Sequence, residues 1–216
     1  MKIEVQVKRF ATAAAAAIVF IGANSAYGAR SPVGLNATAV ASTADIAAIE
    51  RAANGRLLAI GRLDHLSRSN PSVSVLGQRF VLLASPGNTR FLEDAQIGRP
   101  VALFGELSAG KYFVEAALSL DGQYVQGVSR VYLRGSVSSV DRKLGLISVG
   151  AAVLDTTSFA SRFVVDRFNS GANAAVIGTQ PAIKGTILVE TIRKVSVDAS
   201  LGTGRTDASV GTGRTD

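Results

Sequence analysis

The chain has 216 residues, 47% of them hydrophobic and 18% charged, with no cysteine and a formal charge of +7. That is apolar material for one medium core or two small ones, and too little charge for a disordered polyelectrolyte. The missing cysteine excludes disulfides, thiolate metal sites, cysteine nucleophiles and iron–sulfur clusters, so burial alone must hold the fold together.

Residues 1–28 carry the pattern of an export signal. Lys8-Arg9 is a positive head, Phe10 to Gly22 an uncharged and mostly apolar run, and Ala26-Tyr27-Gly28 a small-residue exit. Those three parts in that order describe a cleavable signal peptide. The apolar run is too short to cross a bilayer comfortably. The pattern predicts cleavage before Ala29, a periplasmic or secreted protein, and no stable membrane span afterwards. Loss of Lys2, Glu4, Lys8 and Arg9 leaves a charge of +5 on the remainder, a mild excess that favours anionic surfaces.

Residues 29–55 form a linker and a short helix. Arg30 to Ala41 is rich in Pro, Gly, Ala and Thr. Ser42 is the expected N-cap, with Asp45 three residues on, and Asn54-Gly55 the expected stop. Ile46, Ile49 and Ala53 fall on one face, which is expected to pack against a barrel end.

From Leu57 onward the chain reads as short strands. Val73 and Val75, then Phe80 and Leu82, alternate at period two around a Gly77-Gln78 turn. Val101 and Leu103, and the run from Phe113 to Leu120, supply further strands. Glu93-Asp94 is expected in a loop. Asp121-Gly122 is a hairpin signal, and Tyr124 to Val140 reads as one long strand or two, bent near Gly127 and Gly135.

The strand region resembles itself. Gly61 to Arg68 meets Gly135 to Arg142 at a shift of 74, and Val73-Ser74-Val75 lands on Ile147-Ser148-Val149. Ile97-Gly98 to Gly105 meets Ile177-Gly178 to Gly185 at a shift of 80, and Phe113-Val114-Glu115 meets Leu188-Val189-Glu190 at 75. Five short strands bent at glycines suit a small closed barrel, for which the OB-like barrel is the best-known solution. The expected architecture is all-β: two tandem OB-like barrels at 56–122 and 123–197, a short N-terminal helix, and a disordered tail at 198–216.

One block carries a resemblance. Gly135 to Ile192, with Val140-Asp141, Gly145, Ile147-Ser148-Val149-Gly150, Asp155-Thr156-Thr157 and Gly178 to Gly185, resembles the bacterial exported domain-of-unknown-function family 5666. Gly61 to Leu118 resembles it more loosely: Ser67 replaces the Asp, and Asn70-Pro71 the turn glycine region. The resemblance spans about two thirds of the chain. It implies exported tandem OB-like barrels and carries no catalytic residue.

The tail repeats nine residues, Ala199 to Asp207 and then Ala208 to Asp216, with one change. One carboxylate per copy is a poor calcium donor set, and a flexible extension is expected.

The chemistry search yields no catalytic constellation, and no metal or other cofactor is expected. His65 is the only histidine, beside Asp64 on a strand, where neighbours point to opposite faces. No G-x-S-x-G elbow and no phosphate-cradling G-x-x-x-x-G-K motif occurs. A binding surface fares better, since OB barrels hold polymers with aromatics and cations. Lys111, Tyr112, Tyr124, Arg130, Tyr132 and Arg134 are the candidate residues, with Phe113 among the same aromatics. The leading expectation is a non-enzymatic envelope scaffold for a protein or polysaccharide partner. The alternative is a polyanion- or nucleic-acid-binding module, with Arg142 and Lys143 adding charge. A hydrolase is disfavoured.

Overall fold

The computed structural model describes residues 42–157, 163–182 and 185–195. The expected export signal and cleavage site, the expected linker from Arg30 to Ala41 and the nine-residue repeats lie outside the described residues.

Helix α1 (Thr43–Ala52) starts as its sequence dictates. Ser42 Oγ accepts from the Asp45 amide while Asp45 accepts from the Ser42 amide, a reciprocal capping box. The helix ends where Asn54 and Gly55 take φ of 48° and 73°, values glycine and asparagine tolerate best.

Among the described residues ten strands follow: β1 (Leu57–Ser67), β2 (Ser72–Val75), β3 (Gln78–Leu82), β4 (Pro100–Ser108), β5 (Lys111–Ser119), β6 (Arg130–Asp141), β7 (Leu146–Val149), β8 (Ala152–Asp155), β9 (Asn173–Thr179) and β10 (Thr186–Lys194). Helix α2 (Pro86–Asp94) lies between β3 and β4, and α3 (Phe163–Asp166) between β8 and β9. Pairing closes two circuits in the same order, β1-β2-β3-β5-β4-β1 and β6-β7-β8-β10-β9-β6. Only β3–β5 and β8–β10 are parallel. These are two OB-like five-stranded barrels.

Several local expectations change. Glu93-Asp94 ends helix α2 instead of lying in a loop; Ser85 caps that helix and Pro86 opens it. Asp121-Gly122 belongs to the connection between barrels and makes no hairpin, because β5 pairs with β4 and β3. Strand β6 begins at Arg130, so Tyr124 and Gln126 lie in that connection and share no strand face.

The register match at Ile97-Gly98 also moves. Gly105 pairs with Val114 and Gly178 with Val189, so these two glycines hold the same place in their circuits. A Cβ on Gly105 would strike the Phe113 carbonyl, and one on Gly178 the Leu188 carbonyl. Gly98 instead sits in the turn before β4. Both glycines are required because the neighbouring backbone occupies the side-chain position.

The barrels join edge to edge. Ala59 and Ile60 of β1 pair antiparallel with Leu133 and Tyr132 of β6. The result is a continuous β4-β1-β6-β9 sheet. Helix α1 covers its outer face, not a barrel end: Ile46 and Ala53 pack with Ile60, Ala102, Phe104, Tyr132, Ala175 and Ile177. A second contact lies at the β2–β3 turn, where the buried Gln78 Nε2 donates to the Val149 carbonyl at 2.7 Å. The Tyr112 hydroxyl sits in the space a side chain at Gly135 would fill. The two barrel interiors thereby merge into one apolar cluster.

Asn88 of α2 shows how irregular backbone is satisfied. A bulge separates the Phe104–Ala116 pair from the Gly105–Val114 pair. Asn88, 2% exposed, donates through Nδ2 to the Leu83, Val114 and Glu115 carbonyls and accepts from the Ala117 amide at 3.1 Å. One side chain thus supplies the partners that the bulge removed.

Candidate ligand-binding face

The six candidate residues separate into three places. Tyr132 and Arg134 share one side of β6, but Tyr132 is fully buried under α1. Its hydroxyl donates to Glu50 Oε1, and Glu50 also pairs with Arg193. Burial raises the Tyr132 phenol well above its usual range, and the Glu50 hydrogen bond and charge add to that. Arg193's own hydrogen bond with Glu50 raises its guanidinium and keeps it charged. Tyr132 is a structural anchor and offers no ring to a ligand.

Tyr124 and Arg130 line a small cleft at the junction of the barrels, floored by Ile60 and Leu120. The Tyr124 hydroxyl donates to Gln180 Oε1 at 3.1 Å, and the Arg62 guanidinium lies 6.0 Å from its ring centre. Burial pushes the Tyr124 phenol up to about 12, the Arg62 charge partly opposing. Arg130 Nε lies 2.8 Å from Glu190 Oε2, off the N–H axis, so the contact is an ion pair without a hydrogen bond. The water-accessible volume there is about 40 Å³, room for a solvent molecule or two and not for a polymer.

Lys111 and Tyr112 open β5, and here the parity of the strand decides. Tyr112 points inward, its ring 4.7 Å from Phe80, and burial pushes its phenol up to about 12. The outward neighbours are Lys111 and Phe113. The aromatic available on this strand is therefore Phe113, not Tyr112.

Register then assembles an outer face on the first barrel. His65 of β1 stands opposite Ser74 of β2, and Ser74 opposite Arg79 of β3. Val81 of β3 lies beside Phe113 of β5. Lys111 and Phe113 alternate outward on β5 as Arg79 and Val81 do on β3. Arg79, His65 and Lys111 are exposed and Phe113 partly so. Among the described residues no carboxylate forms an ion pair with Arg79 or Lys111. Glu106 of β4, paired with Phe113, bounds the face on its far side.

The second barrel provides an internal comparison. Its register places Ser139 opposite Ser148, and Val153 and Asp155 beside Thr186 and Leu188. Position for position, His65, Arg79, Lys111 and Phe113 become Ser139, Val153, Thr186 and Leu188. The cations and the ring are gone, and Val81 becomes Asp155. The sequence offered no cue to Arg79, because only the β2–β3–β5 register brings it to Lys111.

Arg142 is engaged elsewhere, 3.4 Å from Asp166 and donating to Asn169 Oδ1 at 3.1 Å. A β1 bulge changes the geometry expected at His65. The register steps from the Leu63–Val75 pair to the His65–Ser74 pair, which leaves Asp64 as the extra residue. Asp64 pairs with Arg62 at 3.0 Å. Among the described residues no three His, Asp or Glu side chains gather as a metal set, and no helix is long and apolar enough to cross a membrane.

No family model and no curated protein sequence matches the chain. Among solved structures, the wild-type single-stranded DNA binding protein from Thermus aquaticus is similar at 12% identity and a TM-score of 0.28, covering 68% of this chain and 96% of that one. A deletion mutant of the same protein is similar at 12% identity and a TM-score of 0.29, covering 66% and 94%.

Proposed function

We propose that this chain is a non-enzymatic binding module whose first barrel holds an extended polyanion across the outer face of β1, β2, β3 and β5. Arg79 and Lys111 contact the negative groups, and Phe113 and Val81 form the apolar strip beside them. The observation that carries this reading is the contrast between the barrels at matching positions. Structural need is the same in both, yet at these positions the first presents cations without ion pairs beside an aromatic ring, and the second presents Val153, Thr186 and Leu188. Such an arrangement serves a charged linear ligand with rings or apolar backbone segments.

The N-terminal charge, apolar run and small-residue exit support an exported location. The polyanions met there are phosphate- or carboxylate-bearing envelope polymers. A second reading, a scaffold for a protein partner, is favoured by the second barrel, where Leu144 is 60% and Leu188 40% exposed.

The test compares residues 29–216 with its Arg79→Gln/Lys111→Gln variant in binding to long-chain inorganic polyphosphate. The expected result is loss of about tenfold or more in affinity at moderate salt, with the salt slope reduced by about 2. Equal binding by the variant, or equal weakening by Val153→Gln/Thr186→Gln, would remove the first-barrel face from consideration.

A further inference from the structure

We infer that His65 is a third ligand contact of the same face, and that it makes polyanion binding tighten as pH falls. The inference rests on the polyanion reading above and assigns that site its pH dependence.

The geometry is a row across three strands. His65, Ser74 and Arg79 are successive cross-strand partners on β1, β2 and β3. Adjacent strands lie about 4.8 Å apart, so the imidazole stands about two strand spacings from the guanidinium. Ser74 between them is a small hydroxyl that leaves the row open to a ligand. His65 is exposed, and no hydrogen bond, ion pair or ring contact holds it among the described residues. It is the chain's only histidine.

The charges around it are accounted for element by element. On β1, Asp64 pairs with Arg62. From β2 the partner is the neutral Ser74, and from β3 the charge is Arg79. In the β1–β2 loop, Arg68 donates to the Leu92 carbonyl of α2. The turn before β4 meets β1 where the Leu63 amide donates to the Arg99 carbonyl, and Arg99 is exposed. Helix α2, which the β1–β2 loop meets through Arg68, ends in Glu93 and Asp94, the latter paired with Arg90. Histidine exchanges its proton near neutral pH, unlike the arginines and the lysine of the face. Protonation and polyanion binding then favour one another by linkage.

The matching position in the second barrel is Ser139, beside Ser148 and Val153. It provides a control site in the same register, with Val153 and Thr186 where the first barrel has Arg79 and Lys111.

The experiment measures polyphosphate affinity of the full chain at pH 8.0 and pH 5.5, at one moderate salt concentration. Internal phosphates of the probe stay ionised throughout. Wild type is expected to bind about three- to fivefold tighter at the lower pH, the contribution of one exposed ion pair. His65→Asn should bind with one affinity at the two pH values. His65→Lys should bind tightly at both values. Ser139→His, in an otherwise unchanged chain, should leave the ratio as in wild type. An equal pH gain in His65→Asn would overturn the inference and leave the polyanion reading intact, as would binding that depends on Arg79 and Lys111 but not on pH. Absence of binding at both values would overturn both.

Discussion

The Tyr132 hydroxyl donates to Glu50 Oε1 at 2.5 Å, and that same oxygen meets the Arg193 guanidinium. One carboxylate on α1 thus joins β6, whose phenol is fully buried, to β10, whose guanidinium is half-exposed. Removing either end has a different consequence. Tyr132→Phe leaves Glu50 with its cation and with some water, at a cost of about 1 kcal/mol. Glu50→Ala strands a buried hydroxyl beneath the helix, at a cost of about 2 kcal/mol. Urea denaturation of both variants should reproduce that order.

Gly105→Ala and Gly178→Ala should each lower stability by about 3 kcal/mol or more, because a methyl group meets a strand carbonyl that cannot move without breaking its ladder. Gly87→Ala is the contrast. It lies in the first turn of α2 with nothing within 4 Å of the added carbon. That change should raise stability by up to about 1 kcal/mol. Thermal melts of the three variants decide the matter.

Asn88→Ala should cost about 2–3 kcal/mol, since it leaves the Ala117 amide without its acceptor inside the barrel wall. Asn88→Asp should fare no better. It restores the acceptor but presents oxygens to the Leu83 and Val114 carbonyls, which now receive a donor. Equilibrium unfolding measures both.

Alkaline pH should unfold the protein through its phenols. Tyr112 and Tyr124 are pushed up to about 12 by burial, and Tyr132 is raised further in the same direction. An unfolded tyrosine ionises near pH 10. The stability these groups contribute is complete below about pH 10, and declines as pH rises from there through about 12. Circular dichroism melts between pH 8 and 12 should show the melting temperature falling above pH 10. Tyr112→Phe should make the fall shallower.

Transplanting the face should create a second binding site. Val153→Arg, Asp155→Val, Thr186→Lys and Leu188→Phe rebuild on β8 and β10 what β3 and β5 present. The expected stoichiometry, by titration calorimetry with short polyphosphate, changes from one site per chain to two. A stoichiometry still at one would mean that the loops at the barrel mouth, and not these strands, hold the ligand.

The parts of this fold that sequence discloses are those decided locally. Ser42 and Asp45 name a capping box within four residues, and Val73, Val75, Phe80 and Leu82 mark two strands by period alone. Helix α2 also carried its cue in Ser85-Pro86, but its turn-rich composition reads as loop. The proposed face was only partly legible. Lys111 is exposed as expected, but Tyr112 and Phe113 are adjacent aromatics, and nothing local says which turns inward. The parallel β3–β5 register settles it, and that register joins residues about thirty apart in the chain. Tyr132 illustrates a different limit. Alternation separates the two sides of a strand, while α1, from eighty residues upstream, determines that the outer side is dry.

Ala59 and Leu133, which face one another where the barrels join, hold the same place in their circuits. The ladder between them therefore runs about a local two-fold axis, as between identical subunits. Here both halves belong to one molecule, and the connection from Leu120 to Ser129 keeps them at an effective concentration no dilution can alter. Mass action, which would make a two-chain version melt earlier when dilute, has no hold on this interface.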